Sequence, residues 1–319
     1  MTTYKDIRGT HIVTVTADPP APVNGQMWYN STTQVMKGFT SNPAGAWATG
    51  GNLNTGRSYM IGAGTQTSAL GSGGDGGSGS VDNVESYNGS SWTEVADMSN
   101  AREICGGAGA SNTSALVYGD LPSSGVTESW NGSSWTEVAD MSTGRGRFTG
   151  TGIQTAAIAC GGETLGPPNV SKANVETWNG SAWTETTDLN SARQYVHTGG
   201  TYTSALTAGG LNPPASILGL SESWNGSAWT EVADVATPAG QRTVFGQDNS
   251  NALAVGNGLT ESWNGSAWTE VTDLSTQRGI TGSGRSPSGS GIIFGGPSAS
   301  TATEEWTAPA TNTVTFTAS

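Results

Sequence analysis

The strongest constraint on this chain is a ten-residue phrase, ESWNGSAWTE at residues 261–270, that recurs with small changes from residues 85, 128, 176 and 222. Successive copies start 43, 48, 46 and 39 residues apart. A period in this range belongs to a solenoid or a propeller, because each unit is one supersecondary motif that buries its apolar face only against its neighbours. Inside the phrase, a glutamate and an aromatic residue precede Asn-Gly, and Trp-Thr-Glu follows. That order predicts two short strands joined by a tight turn, and Asn-Gly suits a type I′ turn with positive φ at both central residues.

Composition agrees with an all-β chain. The 48 glycines, the abundant Ser and Thr and the scarcity of Lys and Leu leave no long segment with helical apolar periodicity. Glycine at this level also suits disorder, but 12 regularly spaced tryptophans argue for a packed core. A closed ring of repeats can form one unit even at 319 residues. The net charge of −13 disfavours nucleic acid, whose phosphates need a basic surface. No apolar run approaches 18 residues and no basic start leads into an apolar core, so neither membrane insertion nor a secretory signal is expected. Cys105 and Cys160 fall at different places in their repeats and read as small buried residues rather than a disulfide.

In chain order, residues 1–9 form a polar leader and HIVTVTA at 11–17 alternates like a strand. The prolines of DPPAPVNG at 18–25 make it a connector, and QMWYNS and QVMKGFT follow as a candidate hairpin. Trp47 then stands ten residues before Arg57, the spacing also found from Trp92 to Arg102, Trp135 to Arg145, Trp183 to Arg193 and Trp268 to Arg278. Trp229 to Arg242 carries a three-residue insertion. Residues 10–56 are therefore expected to be a degenerate repeat.

After each arginine the unit divides into four strands. The first is glycine-rich (EICGGAGA, FTGTGIQ, YVHTGGTY), the second small and apolar (SALVYGD, AAIACGG, SALTAGG), and the third and fourth are the hairpin phrase. Narrow first strands and bulky last ones suit a wedge, and wedges repeated around an axis make a β-propeller. The repeating core tryptophans would be Trp92, Trp130, Trp135, Trp178, Trp183, Trp224, Trp229, Trp263, Trp268 and Trp306.

Gly-Gly closing the second strand, an aromatic in the third, a Trp about five residues later and then Arg resemble the kelch repeat over nearly the whole chain. The resemblance implies a kelch-like β-propeller of four-stranded blades. Six units run from Arg57 to the end, the last with EEWTAPATNTVTFTAS in place of the hairpin phrase, and residues 10–56 offer a seventh. Seven blades, averaging near 45 residues, are favoured over six with an N-terminal appendage, the C-terminal TVTFTAS pairing beside the N-terminal blade.

YKDIRGTHIVTV, then DPPAPVNGQMWYNSTTQVMKGF, is similar to the opening of kelch-like virion proteins of tailed bacteriophages, particularly marine ones, in which a G-Q-x-W-Y-N-S-T-T stretch precedes Trp-rich blades. What that implies is a structural or host-contacting component of the phage particle, localised to the virion.

Catalytic chemistry is sparse. His11 and His197 are the only histidines. A kelch-type copper oxidase would need two histidines, a tyrosine and a tyrosine joined to cysteine; Tyr195 lies near His197, but His11 belongs to another repeat. His197 reads more simply as a residue on a half-exposed strand. No sialidase box, Gly-x-Ser-x-Gly elbow, Walker loop or His-Glu-x-x-His motif occurs, so no catalysis, cofactor or metal is expected. Asn88, Asn131, Asn179, Asn225 and Asn264 match the glycosylation sequon, but the turn already requires Asn-Gly at each.

One glutamate per unit (Glu85, Glu128, Glu176, Glu222, Glu261, and Glu304 or Glu305) matches one arginine (Arg57, Arg102, Arg145, Arg193, Arg242, Arg278). Each arginine is expected to bridge to a third-strand glutamate of its own or a neighbouring blade and stitch the ring. Glu94 and Asp97 with their equivalents are expected to form a solvated acidic rim.

Variation concentrates between second and third strands: GSGGDGGSGSVDN at 71–83, GDLPSSG at 119–125, ETLGPPNVSKAN at 163–174, LNPPASILGLS at 211–221 and GNGL at 256–259. These loops emerge on one face, and loops on a rigid scaffold carry binding. Asp75, Asp82, Asp120, Glu163, Lys172 and Asn212 are the candidate contact residues. Two functions follow. One is a non-enzymatic virion component, in tail or appendage, docking to other virion proteins or to a host glycan or protein receptor. The other is a lectin-like propeller, which would need the same exposed polar and aromatic residues in every blade.

Overall fold

The computed structural model describes residues 12–23, 25–42, 44–120, 123–166, 168–213, 216–276, 278, 282–283 and 289–316. The leader at 1–9 and His11 lie outside them. The described residues contain strands and turns and no helix. The chain separates into two compact units, Met1–Ala46 with Ala308–Ser319, and Trp47–Thr307.

The larger unit is a β-propeller of four-stranded antiparallel sheets. In the first, Ile61–Thr65, Ser68–Ser72, Val84–Tyr87 and Trp92–Glu94 pair in chain order. The same order holds for the sheets beginning at Gly106–Ser111, Gly150–Ile153, His197–Thr201 and Thr243–Asp248. A sixth sheet pairs Gly282–Ser283, Ser290–Phe294, Thr303–Thr307 and, as its outer strand, Ala46–Thr49. The six first strands touch one another in sequence, and Gly282–Ser283 touches Ile61–Thr65, so the ring closes.

This closure corrects the expectation of a seventh blade over 10–56. The sixth repeat lacks the NGSAWTE hairpin and has no outer strand of its own, so the N-terminal chain supplies it. Trp47 packs on Trp306 with ring centroids 5.2 Å apart, as Trp268 packs on Trp263 at 5.3 Å. The Trp47-to-Arg57 spacing is thus the linker from sixth blade to first.

The smaller unit is one sheet of Val13–Val15, Met27–Asn30, Val35–Asn42 and Ala310–Phe316. Val13–Val15 runs parallel to Met27–Asn30, and Ala310–Phe316 runs antiparallel to Val35–Asn42. The expected pairing of TVTFTAS is found up to Phe316; 317–319 lie outside the described residues. The proline-rich connector carries Asp18, which accepts hydrogen bonds from Lys37 Nζ (2.6 Å), Asn30 Nδ2 (2.8 Å) and Trp28 Nε1 (3.0 Å). Lys37 first, then the Asn30 amide and the Trp28 indole, hold its carboxyl down to about 2.

Core packing explains the residue types. The third-strand tryptophans Trp130, Trp224, Trp263 and Trp306 are each 1 % exposed. Burying such a ring removes roughly 150–250 Å² from water, on the order of 4 kcal/mol or more apiece. At the axis the first strands must approach closely, which is why they are glycine-rich: a Cβ on Gly107 would stand 2.4 Å from Ile61 Cγ2 and 2.8 Å from the Gly62 carbonyl.

The hairpin turn differs from the expected type I′. Tyr87 pairs with Trp92, which leaves a four-residue loop in which Gly89 has positive φ and Asn88 does not. The Asn88 side chain shapes the turn instead, its Oδ1 accepting from Ser90 N and Ser91 N at 2.9 Å each. Asn131, Asn179, Asn225 and Asn264 repeat the arrangement.

Candidate functional site

Each repeating arginine lies between the fourth strand of one blade and the first of the next, and each reaches the third-strand glutamate of the blade it opens. Arg57–Glu85 and Arg193–Glu222 lie at 2.8 Å, Arg145–Glu176 and Arg242–Glu261 at 2.6 Å, and Arg102–Glu128 and Arg278–Glu304 make the same pair. All twelve side chains are at most 4 % exposed. Burial lowers the Arg57 and Arg193 guanidiniums from their usual range, opposed by their glutamates.

Except at Arg242, the guanidiniums also tie the two ends of a variable loop. Arg57 donates to the carbonyls of Gly73 (3.0 Å) and Asn83 (2.6 Å), which bracket the first loop. Arg193 does so with Gly209 and Leu220, and Arg278 with Gly295 and Ala302. The arginine backbone serves the blade before: Gly74 N donates to Arg102 O, Gly162 N to Arg193 O and Gly296 N to Arg57 O. The loops therefore vary on a fixed base.

The second acidic set is half structural. Asp97 accepts from Val84 N (3.3 Å), and Asp140, Asp188, Asp234 and Asp273 accept at the same place in their blades. Glu94 and its equivalents are exposed.

The six candidate contact residues separate. Asn212 is exposed, while Asp75, Asp82, Asp120 and Lys172 are half-buried. Asp75 Oδ1 accepts from Gly77 N (2.8 Å) and Gly79 N (3.2 Å), shaping its own loop. Glu163 corrects the expectation of an exposed contact: it is fully buried and ion-paired with Arg147.

Around that pair the structure assembles residues that the repeat pattern does not mark. Two positions after each of four successive repeating arginines stand Tyr59, Ile104, Arg147 and Tyr195, with φ of 54°, 51°, 55° and 52°. Backbone bonds link them around the ring: Ile104 N to Tyr59 O, Arg147 N to Ile104 O, and Tyr195 N to Arg147 O. Left-handed backbone is strained for such side chains, the β-branched isoleucine most of all. The Arg147 guanidinium lies 5.3 Å from the Tyr195 ring centre and also reaches Gln194 Oε1 at 3.4 Å. Glu103 stands between Arg102 and Ile104. Its carboxyl is raised, first by burial and then by the charges of Asp75 and Asp120, against the pull of Arg147. Burial likewise raises the Glu163 carboxyl, which Arg147 lowers, and the Tyr195 phenol. The only sequence signal for this mouth was that repeats disagree there: Ser-Tyr, Glu-Ile, Gly-Arg and Gln-Tyr follow Arg57, Arg102, Arg145 and Arg193.

Below the mouth the first strands enclose an axial cavity of about 40 Å³, lined among others by Cys105, Thr149, His197, Thr198 and Phe245. That volume is room for about one to three waters and too small for a sugar ring. His197 is 6 % exposed, which corrects the half-exposed strand expected of it, and burial alone pushes its imidazole down to about 3. Both thiols are free and buried, and burial raises Cys105 and takes Cys160 to about 12. Among the described residues no three His, Cys, Asp or Glu side chains gather as metal ligands.

No protein-family model matches the chain, and no curated protein matches it. Among solved structures, one titled "Structure of YjhT" superimposes with a TM-score of 0.63 at 12 % identity, covering 83 % of this chain and 99 % of that one. At that identity the likeness is one of fold.

Proposed function

We propose that the chain is a non-enzymatic structural and interaction component of a phage virion, in the tail or a tail appendage, that docks to other virion proteins or to a host surface through the variable-loop face. The carrying observation is how the repeated chemistry is spent. Arginine, third-strand glutamate and tryptophan, which every blade shares, and the Asn-Gly-Ser turn of the first five all hold the scaffold. What differs between blades is the loop set on one face, and binding resides where a rigid scaffold presents varied loops. This uneven distribution favours one asymmetric contact over the identical pockets of a lectin-like propeller.

The kelch-like reading of the repeats and the phage-like opening support the same placement. Within the GQMWYNSTT stretch, Trp28 and Asn30 bind Asp18, and Asn30 Oδ1 receives Thr32 N and Thr33 N. The stretch thus builds the smaller unit, which we assign to attachment within the particle. Mass spectrometry of gradient-purified particles is the test: the chain should be present at a constant ratio to the major tail proteins, and its absence would overturn the virion reading.

A further inference from the structure

We propose that the mouth of the propeller, at Tyr59, Glu103 and Ile104, is a binding site for a basic side chain, a lysine or arginine presented by a partner protein. The inference rests on the variable-loop face being the recognition face, and it names where on that face and by what chemistry.

Two sides of one mouth carry related groups in different states. On the side of the third and fourth blades, a cation is already in place: Arg147 lies over Tyr195 and is ion-paired with the buried Glu163. On the side of the first and second blades, Tyr59 stands at the repeat position of Tyr195 and Glu103 supplies a carboxylate, and the blade after Tyr59 carries the apolar Ile104 at the repeat position where the third blade carries Arg147. Among the described residues, cations lie over the rings of Phe148 and Tyr195 and not over Tyr59. Arg147 shows within the molecule the contact that an incoming cation would make opposite it.

Charge points the same way. Among the described residues, Asp75, Glu103, Asp120 and Glu163 act on this mouth against the one cation Arg147, so these groups favour a cation and repel an anion. Hydrogen bonding adds an independent reason. Glu163 is fully buried with its Oε2 unpartnered, and Glu103 Oε2 and Arg147 Nε are also buried without partners. Buried polar atoms are ordinarily satisfied, and the orphaned oxygen of the half-buried Glu103 calls for a donor at this site. A lysine or arginine offers several donors with a charge that a tyrosine face also attracts. Strained backbone at Tyr59 and Ile104 fixes these groups in position before any partner arrives.

The test is a nuclear magnetic resonance titration of the full chain with N-acetyl-argininamide, and in parallel with its neutral isostere N-acetyl-citrullinamide. The arginine derivative should shift the amides of Tyr59, Glu103 and Ile104 and the citrulline derivative should not. Glu103→Gln should weaken binding about tenfold or more, the scale for losing a charge-assisted hydrogen bond. Tyr59→Leu provides a second variant, with an unchanged unfolding midpoint as the control for folding. Equal response to the neutral isostere, shifts confined to other residues, or binding indifferent to both substitutions would overturn the proposal. So would a neutral oligosaccharide that moved these amides where arginine did not. Because the titration uses the isolated chain, absence of the protein from particles would remove the virion reading and leave this result standing.

Discussion

Between blades, the outer-strand tryptophan nitrogens show how a repeat can be complete in one copy and deficient in the next. Trp92 Nε1 donates to Thr303, Trp183 to Thr127 and Trp268 to Ser221, the residue just before the repeated glutamate of the preceding blade. Before Glu176 that residue is Val175, and Trp229 Nε1 is buried without a partner. Val175→Thr should supply the missing acceptor and raise stability by about 1 kcal/mol in denaturant unfolding; a loss would mean that the hydroxyl cannot reach. Glu176→Ala leaves Arg145 buried and unpaired and should cost about 3–5 kcal/mol, whereas the exposed Glu94→Ala should change stability by no more than about 0.5 kcal/mol. His197 predicts a pH effect of definite sign. Its folded value, about 3, lies below its ordinary 6.5, so the unfolded chain takes up a proton first as pH falls. Stability should be full above 6.5 and decline below it at about 1.4 kcal/mol per pH unit, a slope that His197→Gln removes.

Strands and their order were legible because the phrase repeats, and so were the buried Arg–Glu pairs, which equal counts of opposite charge announced. Three features were not. The sixth blade takes its outer strand from the other end of the chain, a pairing that no local spacing reveals, although Trp47 already stood at the right distance from Arg57. The four-residue turn escaped notice because Asn-Gly also begins the shorter type I′ turn, and only the Asn88 side-chain bonds distinguish them. The mouth was missed because its residues sit where repeats differ, and Glu163 read as a loop acid although it is buried. Closure is the element most open to test. Trp47→Ala removes the ring contact with Trp306 and the bond from Trp47 Nε1 to Thr272 O at 3.1 Å. It should cost about 2–3 kcal/mol and selectively speed amide exchange in Thr303–Thr307. Unchanged protection there would contradict closure by the N-terminal strand.

At the scale of the whole molecule, a propeller whose shared arginines and third-strand glutamates are buried has two surfaces with different prospects. The hairpin tips at Asn88, Asn131, Asn179, Asn225 and Asn264 are nearly identical and satisfied by their own turns. The loop face varies and bears the acidic, tyrosine-lined mouth. Cryo-electron microscopy of the intact particle asks directly which surface is used. The account predicts propeller density with the loop face turned toward a neighbouring subunit or outward to the host, and the hairpin tips free; density in which the hairpin tips make the contacts and the loop face lies idle in solvent within the particle would contradict it.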